Sequence, residues 1–590
     1  MASGRRSCTS TGRNSPRSVT SLRVAVYNQP DVRSRFHFRQ LWFAILVLLA
    51  IAGRCSARGQ SANASADSSA ATSAMEHRLL LVLPFENRTG QTNLDWIGEA
   101  VPEILNQRLA AAGFLPISRI DRQYALTHLG LPVNFRPSRA TAIRIAQTLD
   151  ADYVVIGSYT LQGQRFTTST QILDINTLHL GQPLQQEADM SRLLEVLNST
   201  AWRVAKALDP QYNVAENTFV ATGSDLRIDG FENYIRGLVD PNAADRIRHL
   251  KDAVQINPKY SSAWLALGLA DFNDQQYELA ATALGHLPKS DPNALLAEFY
   301  RGLAYFYTGN YAMAEDAFGF IAGQLPLSEV LNNEGVAQSR RGRDGSSLFR
   351  RAIANDSADA DYDFNLAVAL NRKGDHAGAV AAITEALKLR PQDSEAQSFA
   401  VHLQGQTEGG PASTFTPPPP SSAIAATDPT AASGPLERIK RNFNDASFRQ
   451  AAFAIEQMQS LRMDAMPRPA HAAELTREGE RYLGEGLLLE AEREFQAALA
   501  LDNSNAAAHA GLAEVRERDG DSEAARREAQ TSIRLQPSSP AYIVLARIDL
   551  AASQTTAAAA EVQQALALDP ANATARTLKQ TIQNRQQKSQ

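Results

Sequence analysis

The stretch AWLALGLADFNDQQYELAATAL (Ala263–Leu284) reads as helix almost from end to end, yet it carries Gly268 in its first half. Glycine inside a helix costs roughly 1 kcal/mol relative to alanine, so something at this position demands a missing side chain. Gly302 stands 34 residues later, and the same step links Ala280 to Ala314, Leu284 to Phe318 and Pro292 to Pro326. Repetition at this period marks an array of helical hairpins. In such a unit, Gly268 and Ala280 are small because two helices cross closely there. Trp264 and Leu284 fill the space beside the crossing, and Pro292 ends the second helix because proline cannot continue it.

The pattern resembles the tetratricopeptide repeat. Trp264, Leu267, Gly268, Ala280, Leu284 and Pro292 match its motif in one unit, and Gly302, Tyr305, Ala314, Phe318 and Pro326 in the next. A shortened unit precedes them at Phe231–Leu238, with Ala253 and Pro258. A worn fourth begins at NNEGVAQSRRG (Asn332–Gly342), with Phe349 and Ala352, and a fifth carries Leu366, Ala367, Ala379, Ala386 and Pro391. The register returns in Leu475, Gly479, Tyr482, Ala491, Phe495 and Ala498, then in Leu512, Ala525 and Pro537, then in Leu545, Ala558, Ala565 and Pro570. The polar stretch at 572–587 suits a solenoid cap. The resemblance implies protein or peptide partners held on a concave face. Its groove positions fall on Leu265, Leu269, Phe272 and Asn273, then Phe299, Leu303, Phe306 and Tyr307, and on Phe364 in the fifth unit. Core packing is the competing reading for these side chains.

Two breaks divide the 590-residue chain. Residues 58–76 are a Ser/Ala/Asn tether, and 407–435 contain four consecutive prolines, which favour an extended spacer. The expected bodies are 77–230, 231–406 (about five repeat units) and 436–586 (an amphipathic helix and about three units). IKRNFNDASFRQAAFAIEQMQSL (Ile439–Leu461) reads as that helix, with Phe443, Phe448, Ala452, Ile455 and Met458 on one stripe. A hydrophobic content of 44% with 21% charged residues reads as globular.

Residues 1–57 carry nine of the arginines and a 13-residue apolar run, LWFAILVLLAIAG (Leu41–Gly53). A membrane span needs about 18–20 apolar residues, so the run reads as the core of a signal peptide with a basic flank. An uncleaved inner-membrane anchor through residues 41–53 is the alternative, which leaves membrane association open. Both cysteines, Cys8 and Cys55, lie in this leader, so a chain cleaved after Ala57 has no disulfide or thiolate metal site. Beyond the leader the chain is acidic, which argues against nonspecific nucleic-acid binding.

The first body interleaves strands and helices and reads as an α/β layer. RLLLVLPFENRTG (Arg78–Gly90) opens as a buried strand, and NLDWIGEAVPEILNQRLAAAG follows as a helix with Ile97, Val101, Ile104, Leu105 and Leu109 on one stripe. LPIS, DYVVIGSY (Asp152–Tyr159) and QRFTTSTQILDINT read as strands, SRATAIRIAQTLD and SRLLEVLNSTAWRVAKAL as helices. LVLPFENRTG, LDWIG and LDADYVVIGSY together resemble the TolB-like amino-terminal domain over about 77–212. The resemblance implies a small mixed sheet used for docking or assembly in a bacterial envelope, and no catalytic residues.

Catalytic motifs are absent from the sequence. It has no H-E-x-x-H, no phosphate loop, no G-x-S-x-G elbow and no G-x-G-x-x-G. DADYD (Asp359–Asp363) imitates the start of a calcium loop, but Phe364 and Leu370 stand where Gly and Glu belong. Its aspartates read better at a helix N-terminus. The expectation is therefore a non-enzymatic extracytoplasmic scaffold, periplasmic or envelope-associated, without cofactor or metal. The fold is a small α/β domain followed by two all-α repeat solenoids. A membrane-anchored signalling module with cytoplasmic repeats is one rival. An enzyme with a site near Glu86 and Asn87 is the other.

Overall fold

Alternation along the first strand decides how the amino-terminal layer is built. The computed structural model describes residues 79–132, 138–222, 226–407, 435–442, 458, 461–463 and 465–588. β1 (Leu79–Val82) turns Leu80 and Val82 to one core and Leu81 to another. β2 (Glu86–Asn87) and β3 (Leu115–Pro116) are short; β4 (Tyr153–Gln162) and β5 (Arg165–Asp174) form a long hairpin that β6 (Leu184–Asp189) extends. The sheet order is β3-β1-β4-β5-β6, with β2 also on β4; β3, β1 and β4 run parallel, and β4, β5 and β6 antiparallel.

Helix α1 (Trp96–Ala111) covers one face and α2 (Arg119–His128) with α3 (Arg139–Thr148) the other, while α4 (Leu193–Leu208) joins α1. Pro102 sits inside α1 without breaking it. Proline cannot bond the carbonyl four residues back, and that carbonyl, Gly98 O, instead accepts the Phe85 N–H at 3.1 Å. The missing helical bond thus becomes a tie to the sheet. A short helix, α5 (Glu216–Ala221), leads out of the domain.

Helical hairpins follow. α6 (Ile228–Val239) packs on α7 (Ala243–Ile256), α8 (Ser261–Asn273) on α9 (Tyr277–Leu284), and α10 (Ala294–Tyr307) on α11 (Tyr311–Gln324). α12 (Ser328–Arg340) packs on α13 (Ser346–Asn355) and α14 (Ala360–Arg372) on α15 (His376–Leu389); α16 (Ser394–Thr407) closes the run. The later pairs are α17 (Arg468–Glu485) with α18 (Leu488–Leu501), α19 (Ala506–Arg518) with α20 (Ser522–Leu535), and α21 (Ser539–Ala551) with α22 (Thr555–Leu568), followed by α23 (Ala573–Lys588).

Glycine marks the crossings. A Cβ on Gly268 would lie 2.5 Å from Leu284 Cγ, and one on Gly302 2.8 Å from the Phe318 ring. The Phe495 ring is wedged between two glycines, 2.6 Å from a Cβ on Gly479 and 2.2 Å from one on Gly511.

Several expectations are corrected. α9 stops at Leu284, well before Pro292: Pro288 offers no N–H, and the Leu284 carbonyl takes the Leu287 N–H instead. α2, β2 and β6 were not anticipated, because their residues are mostly polar. Ile439–Asn442 are not helical. Of the stripe expected there, Phe443, Phe448, Ala452 and Ile455 lie outside the described residues, and Met458 is exposed. The leader and both cysteines also lie outside them. No helix among the described residues is long and apolar enough to cross a membrane.

The α/β domain and the first hairpins share one core. Trp96 meets Phe231 edge-on at 6.4 Å, and the Tyr234 hydroxyl donates to Glu103 Oε1 at 2.6 Å. α18 joins them from far along the chain: Leu489 enters the same core, and Arg493 Nη1 donates to Ala111 O at 2.9 Å. The buried Glu492 carboxylate accepts the Ala215 N–H at 3.0 Å and pairs with Arg516, with the Thr218 hydroxyl against it.

Gly511→Ala gains up to ~1 kcal/mol of helix propensity but overpacks the trapped Phe495 ring, at ~1–3 kcal/mol. The expected outcome is net destabilisation, read as a lower denaturation midpoint. Gly323→Ala, on α11 where a Cβ meets nothing within 4 Å, should leave the midpoint unchanged or raise it.

Candidate functional site: a groove holding an extended segment

Three asparagines with no exposed surface, Asn332 and Asn333 on α12 and Asn365 on α14, stand where apolar residues would pack. Buried carboxamides require partners, and residues 435–442 (PLERIKRN) supply them. Asn365 Nδ2 donates to Arg438 O at 2.8 Å, and its Oδ1 accepts the Arg438 N–H at 2.6 Å. Asn333 repeats this on Lys440, at 2.8 and 2.7 Å. Asn332 Nδ2 also donates to Arg438 O, at 3.0 Å, while its Oδ1 accepts from Asn365 Nδ2 at 2.7 Å. Residues two apart on an extended chain present their backbone groups to the same side. Two asparagines on neighbouring hairpins therefore read Arg438 and Lys440 as an adjacent strand would.

Charge fixes the register and direction. At one end, Arg372 Nη1 pairs with the buried Glu437 carboxylate at 2.5 Å, and Arg340 Nη2 donates to Glu437 O at 3.2 Å. At the other end the groove is acidic. Arg438 takes both Asp393 oxygens, at 2.5 and 2.9 Å, and reaches Asp361 at 3.0 Å and Glu395 at 2.8 Å. A two-oxygen arginine–carboxylate pair adds geometric specificity to its energy. Lys440 Nζ meets Asp359 at 2.5 Å and Asp361 at 2.6 Å. The Arg438 guanidinium lies 3.7 Å over the Phe364 ring, and Arg441 lies 5.5 Å from that of Tyr307. Ile439 packs on the apolar core of the hairpins.

Burial alone would raise the Asp361 carboxyl, but Lys440 and Arg438 outweigh it, with Arg390 adding to them, and hold it at about 2. Asp393 is likewise lowered, because Arg438, the Ala396 N–H and Arg390 overcome its burial. The sign follows from the folded carboxyl binding its proton less tightly than an ordinary aspartate, near ~3.9. The clamp's contribution is complete above the ordinary value and fades as pH falls toward about 2.

The expected groove residues divide. Phe364 forms the floor beneath Arg438, and Tyr307 lies beside Arg441. Leu265, Leu269 and Phe272 are half-buried, and Asn273 is exposed. Phe272 packs on Tyr277, Tyr300 and Tyr307. Phe299 and Leu303 have no exposed surface, and Phe306 only 8%; Phe299 is spent against Phe318, so these three offer little to anything outside. Among the signature residues, Trp264 stacks on His286 at 3.8 Å, and Ala280, Ala314, Ala491 and Phe495 are buried at crossings. Tyr305 receives Arg301 Nε on its hydroxyl, Tyr482 packs beside Phe495, and Leu267 is buried. Pro292 is exposed in a turn and Pro326 in the connection between α11 and α12.

Asp359 does cap α14, accepting the Asp361 N–H at 3.1 Å. Its further role against Lys440, the asparagine pairs and the segment itself were missed. The available signal was the recurrence of a buried-register asparagine, Asn333 and then Asn365. Among the described residues, no group of three or more His, Cys, Asp or Glu is placed to hold a metal.

A tetratricopeptide-repeat family model matches residues 337–394 and 476–540, so the chain carries tetratricopeptide repeats in both stretches, and the first includes Asn365, Asp361 and Asp393. No curated protein matches the sequence significantly. Solved structures similar to it include MamA (41-end) from Desulfovibrio magneticus RS-1, 21% identical over 29% of this chain and 99% of that one, with a TM-score of 0.26. The LpoB C-terminal domain from Escherichia coli is 26% identical over 19% of this chain and 82% of that one, with a TM-score of 0.18. Its Salmonella enterica counterpart is 22% identical over the same shares, with a TM-score of 0.17. Likenesses at these scores carry no argument about function. No enzyme family is indicated.

Asn365→Ala removes both bonds to Arg438. At roughly 1 kcal/mol or somewhat more for a pair of such bonds, tryptic cleavage after Arg438 and Lys440 should accelerate about 5–10-fold at neutral pH. Cleavage in exposed turns should be unchanged. Equal rates in variant and wild type would remove the asparagine from the clamp.

Proposed function

We propose that this protein is a non-enzymatic scaffold that binds protein partners through its tetratricopeptide repeats, acting outside the cytoplasm at a bacterial envelope. The observation that carries the reading is the groove of α12, α14 and α16. It holds an extended peptide by both backbone and side chains, which is what a partner-binding surface must do. The repeats form two arrays, one on each side of the proline-rich stretch. The α/β domain, with its likeness to TolB-like domains in LVLPFENRTG and LDWIG, serves as the docking or assembly module. The basic, apolar leader supports export, with cleavage releasing the chain or retention anchoring it through residues 41–53.

Photo-cross-linking in the native host tests this. A cross-linker at the exposed positions Asn273 and Thr308 should yield discrete adducts with one or a few envelope proteins. A reporter active only outside the cytoplasm should be active when fused after residue 590. Absence of adducts at both positions would defeat the scaffold reading; an inactive reporter would place the repeats in the cytoplasm.

A further inference from the structure

The segment at 435–442 is joined to the groove by nothing nearby in sequence. The groove side chains that bond its backbone lie 73 to 107 residues away, and each of those contacts reads either an extended backbone or a charge. Any protein segment with the same pattern can make them in trans. The contact is mainly polar: besides Ile439 and the buried Pro435, it consists of amide bonds, ion pairs and cations laid over the Phe364, Tyr362 and Tyr307 rings. An incoming segment that replaces each of these bonds with its own can exchange for them at small net cost, unlike the apolar seam that fixes α18 to the α/β domain. Its pairing is also incomplete, since Glu437 Oε2 and Arg372 Nη2 are buried with no hydrogen-bond partner among the described residues.

Resting on the scaffold reading, we infer that residues 435–442 are a built-in competitor for the groove. The partner is an extended protein segment of the pattern acid–Arg–apolar–Lys. The chain's own Glu437-Arg438-Ile439-Lys440 fills the site until that segment displaces it. Acid at the first position meets Arg372. Arginine at the second covers Phe364 and takes Asp393. The apolar third residue meets the hairpin core, and lysine at the fourth sits between Asp359 and Asp361. Covalent attachment gives the internal segment an effective concentration of order mM. Against an internal affinity of order 10 μM, that lowers a competitor's apparent affinity about 100-fold.

The test uses the full chain and a fluorescein-labelled peptide of sequence PLERIKRN, followed by anisotropy. The Arg438→Ala/Lys440→Ala variant, which vacates the groove, should bind the probe at least 10-fold more tightly than wild type. Adding Asn333→Ala and Asn365→Ala should abolish that gain, with circular dichroism and the melting profile confirming that the repeats remain folded. A probe with both basic positions changed to Glu should not bind. Equal affinity for wild type and the vacated variant, no binding to a folded vacated variant, or indifference to the asparagines would each overturn the inference. So would a wild-type dimer by light scattering that the Arg438→Ala/Lys440→Ala changes dissolve, since the segment would then be exchanged between copies. Adducts from Asn273 and Thr308 without probe binding would fell the competitor alone. Probe binding without adducts would fell the scaffold reading alone.

Discussion

Close crossing of helices is the constraint from which the groove follows. At Gly268, Gly302, Gly335, Gly479 and Gly511 a Cβ would fall within 3 Å of a packed side chain. At those crossings the helices come this close because the atoms are missing. Stacking at that distance brings first helices of successive hairpins side by side, so that Asn333 on α12 and Asn365 on α14 address residues two apart on one extended segment. A wider crossing would spoil the match to the strand repeat. The helix propensity lost at each glycine, roughly 1 kcal/mol, is small beside the packing it permits.

What holds the segment differs in kind from what holds the hairpins. The hairpins are apolar, with Phe318, Phe349 and Phe495 fully buried at their crossings. The segment rests on carboxamides and on carboxylates gathered at the N-terminal ends of α14 and α16, where helix dipoles favour negative charge. The Glu492–Arg516 pair between α18, α19 and the α/β domain is also ionic, but it lies beside an apolar core that includes Leu489. One contact is thus built to stay, and the other to be exchanged.

The hairpin period was legible because steric exclusion writes itself in residue size: Gly268 and Gly302, Ala280 and Ala314. The buried strand of the α/β domain was legible through its unbroken apolar run, and Asp359 as a helix cap through its position. The segment was not. A backbone amide bonded to Asn365 leaves no mark on the identity of residue 438, and Arg438 and Lys440 read like any solvated basic pair. The 3.6-residue pattern of Ile439–Leu461 moreover drew its first residues into a helix, whereas Ile439–Asn442 are not helical. The aromatic positions Phe299 and Phe306 pointed to a groove because large side chains suit one, but an aromatic ring satisfies a core equally well. Of the aromatic positions expected there, Phe364 and Tyr307 lie against the segment, and Tyr362, which was not expected, lies 5.2 Å from Lys440 Nζ.

The most direct measurement is amide hydrogen exchange of residues 435–442 in the intact protein at neutral pH. The Arg438 and Lys440 amides, bonded to Asn365 and Asn333, are predicted to exchange at least tenfold more slowly than an unstructured chain. Exchange at the unstructured rate at both positions would contradict the account, because the groove would then hold no segment.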